Sequence, residues 1–149
     1  MANDPIPVTD FLDELRVQWD SSNVAEPRIV EINNSGTATQ SLRIDLNQAD
    51  YVLGRAGNPA FLEEPIGNWK YGNRTYNVEL EVYTRQSRLN LYNLLREVRK
   101  ICHARIHSMT NFQRVQYLSF TEQTQEQANI WLGVAQIRLV NNAVLLETT

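Results

Sequence analysis

Residues 75 to 84 read Thr75-Tyr76-Asn77-Val78-Glu79-Leu80-Glu81-Val82-Tyr83-Thr84, and the segment from Ser87 to Ala104 follows almost at once. In the first stretch Tyr76, Val78, Leu80 and Val82 alternate with Asn77, Glu79, Glu81 and Tyr83, the period of a strand with one core face and one wet face. In the second, Leu91, Leu94, Leu95, Val98, Ile101 and Cys102 recur at helical spacing and predict an amphipathic helix. Toward the C-terminus, Val115 to Phe120 and Ile130 to Val140 read as strands, with the glutamine-rich 121–127 segment as a loop between them. Asn141-Asn142 suggests a closing turn before a last short strand in Ala143 to Leu146.

Toward the N-terminus, Arg28 to Ile32 is a short β-branched strand, stopped by the turn formers Asn33-Asn34-Ser35-Gly36. A second strand is expected within Leu42 to Leu53. Before these, Phe11, Leu12, Leu15 and Trp19 mark a helix capped by Thr9 or Asp10. From Gly54 to Asn73 lie four of the six glycines and two of the five prolines, a density that predicts a long loop. That segment also carries Phe61, Trp69 and Tyr71, aromatics that a solvated loop has little reason to hold. Together these elements predict one α+β domain over residues 1–149. It has a mostly antiparallel sheet flanked by two helices, which cover one face, and a long loop between central strands.

Composition excludes several classes. Apolar residues make up 42% and charged residues 21%, the balance of a globular domain with a core. A formal net charge of −3 argues against a whole-molecule nucleic-acid binder, though not against a local basic patch. One cysteine, Cys102, leaves no internal disulfide and fits a reducing compartment. The start Met1-Ala2-Asn3-Asp4-Pro5 has neither the basic flank nor the apolar stretch of a signal peptide. The most apolar run, Ile130 to Val140, is too short to span a bilayer, so no membrane is expected.

Catalytic signals are sparse. His103 and His107 stand at helical i, i+4 spacing, but a zinc site needs three or four ligands and Glu97 is out of phase, so surface histidines are the better reading. Cys102 lies on the apolar stripe, where a thiol behaves as a small hydrophobe. Gly54-Arg55-Ala56-Gly57 is a weak glycine pair and reads as a turn rather than a phosphate cradle. Glu63-Glu64 are neighbours in sequence only, whereas Glu79 and Glu81 share a strand face and can converge. Without supporting polar apparatus the pair reads as a solvated or subunit-facing surface. No enzyme, no metal and no cofactor is expected.

Charge distribution says more. Residues 85 to 114 hold seven basic side chains against the one acid Glu97, a balance of +6, while residues 1 to 31 carry −5. A chain polarised in this way can pair its positive face with the negative face of the next copy, and repeated head-to-tail contacts close into rings. Two plainer readings stay open, a solvated helix side or contact with nucleic-acid phosphates.

The run from Tyr76 to Thr84, the helix from Ser87 to Ala104, and the two strands ending in Trp131-Leu132-Gly133-Val134-Ala135-Gln136-Ile137-Arg138-Leu139 together resemble the tail terminator proteins of long-tailed bacteriophages and related viruses. The resemblance covers about two thirds of the chain and rests on element order, size and texture. It implies a non-enzymatic virion protein, assembled in the host cytoplasm. Such a protein forms a hexameric ring at the head-proximal end of the tail tube, stops tube polymerisation and joins the tail to the head. Its partners would be other copies of itself, the tail tube protein and a head-completion or connector protein, with DNA only as cargo in the lumen. Subunit contacts are then expected from Glu79, Glu81 and Tyr83, from Arg88, Arg96 and Arg99, and from Asp13 and Asp20. The long loop, with Phe61, Glu63, Glu64, Trp69, Lys70 and Tyr71, would reach a neighbouring ring or the tube, unless its aromatics cover the domain's own sheet. A connector between portal and tail, and a nucleic-acid module using the basic helix, remain the alternatives.

Overall fold

A computed structural model describes residues 6–32, 48–66, 70–124 and 129–146. The elements run α1 (Pro7–Gln18), β1 (Arg28–Glu31), β2 (Tyr51–Pro65), β3 (Tyr71–Thr84), α2 (Arg88–Ala104), β4 (Arg114–Glu122) and β5 (Trp131–Leu145). The strands form one sheet in the order β1-β2-β3-β5-β4. Only the β1–β2 pairing is parallel; the other three are antiparallel. The fold is therefore α+β with a mostly antiparallel sheet.

Register places Val78, Leu80 and Val82 beside Ala56, Gly54 and Val52 on β2 and beside Ile137, Ala135 and Gly133 on β5. On this face the sheet packs against Phe11, Leu12 and Leu15 of α1 and Leu91, Leu94, Val98 and Ile101 of α2, which with it form one buried cluster. The helical stripes are those that the apolar spacing marks out. Ser87 caps α2 by accepting a hydrogen bond from the Asn90 backbone at 3.0 Å. α1 differs at its start: it begins at Pro7, and its N-cap Ile6 has no side-chain cap. Proline at the first helical position, with φ already suited to a helix, sets that boundary. Thr9 instead donates to the Glu31 carboxylate at 3.0 Å, tying α1 to β1.

The expected loop from Gly54 to Asn73 is not a loop where it is described. β2 and β3 pair from Phe61↔Tyr76 out to Pro65↔Gly72, forming a hairpin arm. Residues 57–60 form a bulge opposite Asn77, and the peptide bond between Asn58 and Pro59 within it is cis. The glycines that suggested a breaker serve close approach instead. A Cβ on Gly54 would lie 2.8 Å from Leu12 of α1, and one on Gly57 would lie 2.7 Å from the Asn77 Cβ.

Asn141-Asn142 is likewise not a closing turn, because β5 continues through it to Leu145. The irregularity is a register shift against β3, with Ala143 at φ 54 and its N–H donating to the Asn73 side chain at 3.0 Å. Gln113 holds the adjacent Asn142 backbone through both its side-chain oxygen and nitrogen. The expectations for residues 33–36, 42–47, 125–127 and Trp69 fall outside the described residues.

Candidate assembly surface

Strand alternation sorts the remaining side chains onto the sheet face opposite the helices. Across its middle lie Arg55 on β2, Glu79 on β3, Gln136 on β5 and Ser119 on β4. Arg55 reaches both acids: its Nε lies 2.6 Å from Glu79, and its Nη1 lies 2.6 Å from Glu81. The Gln136 amide donates to the other Glu79 oxygen at 3.0 Å, and the Tyr83 hydroxyl donates to Glu81 at 2.9 Å. Glu79 and Glu81 thus converge on one face, but their partner is Arg55 of the same chain.

Burial, then the bond to Glu81, pushes the Tyr83 phenol from 10.0 up to about 12. Because the folded value is the higher one, its stabilisation is complete below pH 10 and is lost as pH rises toward 12. Burial also raises the Tyr117 phenol, so absorbance titration of the native protein should show a late-ionising component that Tyr83→Phe diminishes. Superimposable curves would place the late tyrosine elsewhere.

The other expected contact residues are dispersed. Arg88 pairs with Glu122 of β4 at 2.9 Å, and Tyr92 donates to the same carboxylate. The bonds from Arg88, Thr124 and Tyr92 hold the Glu122 carboxyl below its ordinary range. Arg96 and Arg99 are exposed on α2, and neither makes a salt bridge among the described residues. Asp13 pairs with Arg16 on the α1 surface at 2.6 Å. Asp20 turns back onto Ser22, whose hydroxyl and N–H lower its pKa.

In the arm, Phe61 folds back onto Tyr76 with centroids 5.1 Å apart, and Glu63 pairs with Arg74 at 2.9 Å. Glu64 and Lys70 are exposed, and the Lys70 carbonyl accepts the Leu146 N–H. Tyr71 is exposed and pairs in register with Leu145. Leu62, Glu64, Tyr71 and Leu145 point to the face opposite the helices, and Ile66 continues the same alternation. Leu62, Ile66, Tyr71 and Leu145 are all exposed, so the arm ends in an apolar patch that its own core does not use.

His107 lies beyond the end of α2, so the helical i, i+4 geometry with His103 does not form. α2 stops at Ala104, its C-cap Arg105 closing on the Ile101 carbonyl. Among the described residues no group of three or more His, Cys, Asp and Glu side chains could hold a metal. Cys102 is buried, and desolvation pushes its thiol up to about 12.

Three features escape sequence reasoning. Asp50 is buried, accepting from Thr84 at 2.7 Å, Asn90 at 2.9 Å and Gln86 at 3.0 Å, and so joins the start of β2 to the β3–α2 junction. A lone acid abutting Tyr51-Val52-Leu53 was its signal. Glu97, the one acid of the basic segment, is also buried. It accepts from the Asp20 backbone at 3.1 Å and the Asn23 amide at 3.3 Å, anchoring the chain after α1. Finally, Arg138 on β5 and Arg114 on β4 are diagonal neighbours on the face opposite the helices, and each buries an Nε with no hydrogen-bond partner among the described residues. No protein-family model matches the chain, and no curated protein matches it.

Proposed function

We propose that this protein is a structural component of a tailed virus particle: the ring that ends the tail tube and presents a surface to the head. The observation that carries this reading is the apolar tip of the β2–β3–β5 arm. Exposed Leu62, Ile66, Tyr71 and Leu145 have no role in the chain's own core, and a patch of that kind at the end of a projecting arm is what a protein contact surface requires. The opposed charges of residues 1–31 and 85–114 support a front-to-back arrangement of copies. Function is then geometric. One ring face complements the growing end of the tube, and the other lacks the surface on which a further tube ring would dock.

Light scattering tests this directly. A discrete hexamer of the 17.2 kDa chain, or a monomer that assembles on isolated tail tubes, is the expected result. Replacing Leu62 and Tyr71 with serine should abolish tube or ring association while the circular dichroism spectrum stays that of the wild type. A hexamer that ignores tubes but binds portal rings would move the protein to the connector position.

One observation favours a second reading. Arg96, Arg99 and Lys100 form an exposed basic run on α2, which could meet nucleic-acid phosphates. A monomer that ignores tubes but binds DNA or RNA with steep loss of affinity as salt rises would support that reading instead.

A further inference from the structure

On the face opposite the helices, the row Leu62–Thr75–Val140–Arg114 lies next to the row Asn77–Arg138–Gln116. Val140 is buried although no helix among the described residues packs on this face, so the aliphatic stems of the neighbouring arginines are placed to cover it. Their charges are a different matter. Two like charges at diagonal cross-strand positions repel each other, and a shielded guanidinium nitrogen without an acceptor is costly. Glu79, the carboxylate nearest in register, has both oxygens engaged by Arg55 and Gln136. Among the described residues, Arg114 and Arg138 therefore adjoin the apolar tip of the arm as cations that no carboxylate pairs.

The complementary surface lies on the other layer of the same molecule. Asp10, Asp13 and Val17 follow one another at i, i+3 and i+7 as a single stripe along α1, and the N-cap Ile6 lies at its start. Ile6 and Val17 are 61% and 75% exposed, and the stripe is apolar at both ends with two carboxylates between, each with one oxygen bonded at the surface, Asp10 by Asn111 and Asp13 by Arg16. It is roughly 17 Å long at the helical rise. From the Tyr71 row to the Asn77 row the sheet face runs about 20 Å.

We infer that the arginine-flanked face of the arm receives the outer α1 stripe of a second copy, with Asp10 and Asp13 of one chain supplying the anions for Arg114 and Arg138 of the next. The inference rests on the ring reading for its choice of a second copy as occupant, and it places the basic half of the contact on the sheet rather than on α2. Because the two surfaces lie on opposite layers, the contact is heterologous and repeats front to back, which closes a ring when the rotation between copies closes.

Charge reversal tests it, with mass measured by light scattering. Arg114→Glu with Arg138→Glu in one variant, and Asp10→Lys with Asp13→Lys in another, should each be monomeric at concentrations where the wild type is assembled. Mixing the two should restore the oligomer, because each reversed surface then finds its opposite. If the sheet variant does not fold, the helix variant decides alone, since its changes remove only the surface bonds of Asp10 with Asn111 and of Asp13 with Arg16. A wild-type oligomer that persists in the folded variants overturns this contact and leaves the ring reading standing. A wild type that stays monomeric with and without tail tubes overturns both.

Discussion

Replacing Leu80 with alanine is expected to cost about 3 to 4 kcal/mol of folding stability, the range for emptying a fully buried leucine site. Leu80 is fully buried in the middle strand, between Gly54 on β2 and Ala135 on β5. Those two neighbours carry no side chain or only a methyl group, so nothing beside Leu80 in the sheet is large enough to fill the space it leaves. Across the interface, Leu12 already sits within 3 Å of where a Gly54 Cβ would be. Against a total stability of about 5 to 15 kcal/mol, such a loss should lower the melting midpoint by about 10 °C. Urea titration with an unchanged slope is the measurement. A loss below about 1 kcal/mol would mean that α1 settles into the cavity.

Asp50→Ala is expected to be nearly as damaging, at about 3 kcal/mol, for an electrostatic rather than a volumetric reason. The carboxylate takes donors from Thr84, Gln86 and Asn90, and Asn90 also donates to the Thr84 hydroxyl at 3.0 Å. Removing the acceptor leaves the Thr84 hydroxyl and the Asn90 amide half-paired in a dry site. Asp50→Asn should recover only part of the loss, because an amide offers one acceptor oxygen where the carboxylate offers two. The damage should be local as well as global. Amide exchange in the first turn of α2, from Ser87 to Leu91, should accelerate more than exchange at its buried centre around Val98. Equal acceleration along α2 would show that Asp50 does not hold the helix start.

Where a segment's own periodicity decides its structure, the sequence is readable. The strand through Leu80 and the α2 stripe are of this kind, and the structure has both. The arm is different. Its glycines and prolines carry the local signature of a breaker, yet Gly54 is there for Leu12 and Gly57 for Asn77, contacts that exist only after the sheet has formed. That misreading hides Arg55, which as part of a turn has no evident partner and in the sheet neutralises Glu79 and Glu81. The same-face relation of the two acids is legible from their spacing, whereas the cation between them requires the β2–β3 register. Asp50 and Glu97 follow the same logic, since their partners lie far along the chain and no local pattern announces them.

The strand order has a consequence for biosynthesis. β5 lies between β3 and β4, so β4 has no ladder partner until β5 is in place, and β3 has only β2. While the ribosome is still translating residues 131–145, β3 and β4 both lack the neighbour that joins them in the finished sheet. Completing the sheet requires β5 to pair with β3, a contact distant in sequence and correspondingly slow to form. The sheet face that carries Arg114 and Arg138 is therefore complete only once β5 has paired, after synthesis has passed Leu145.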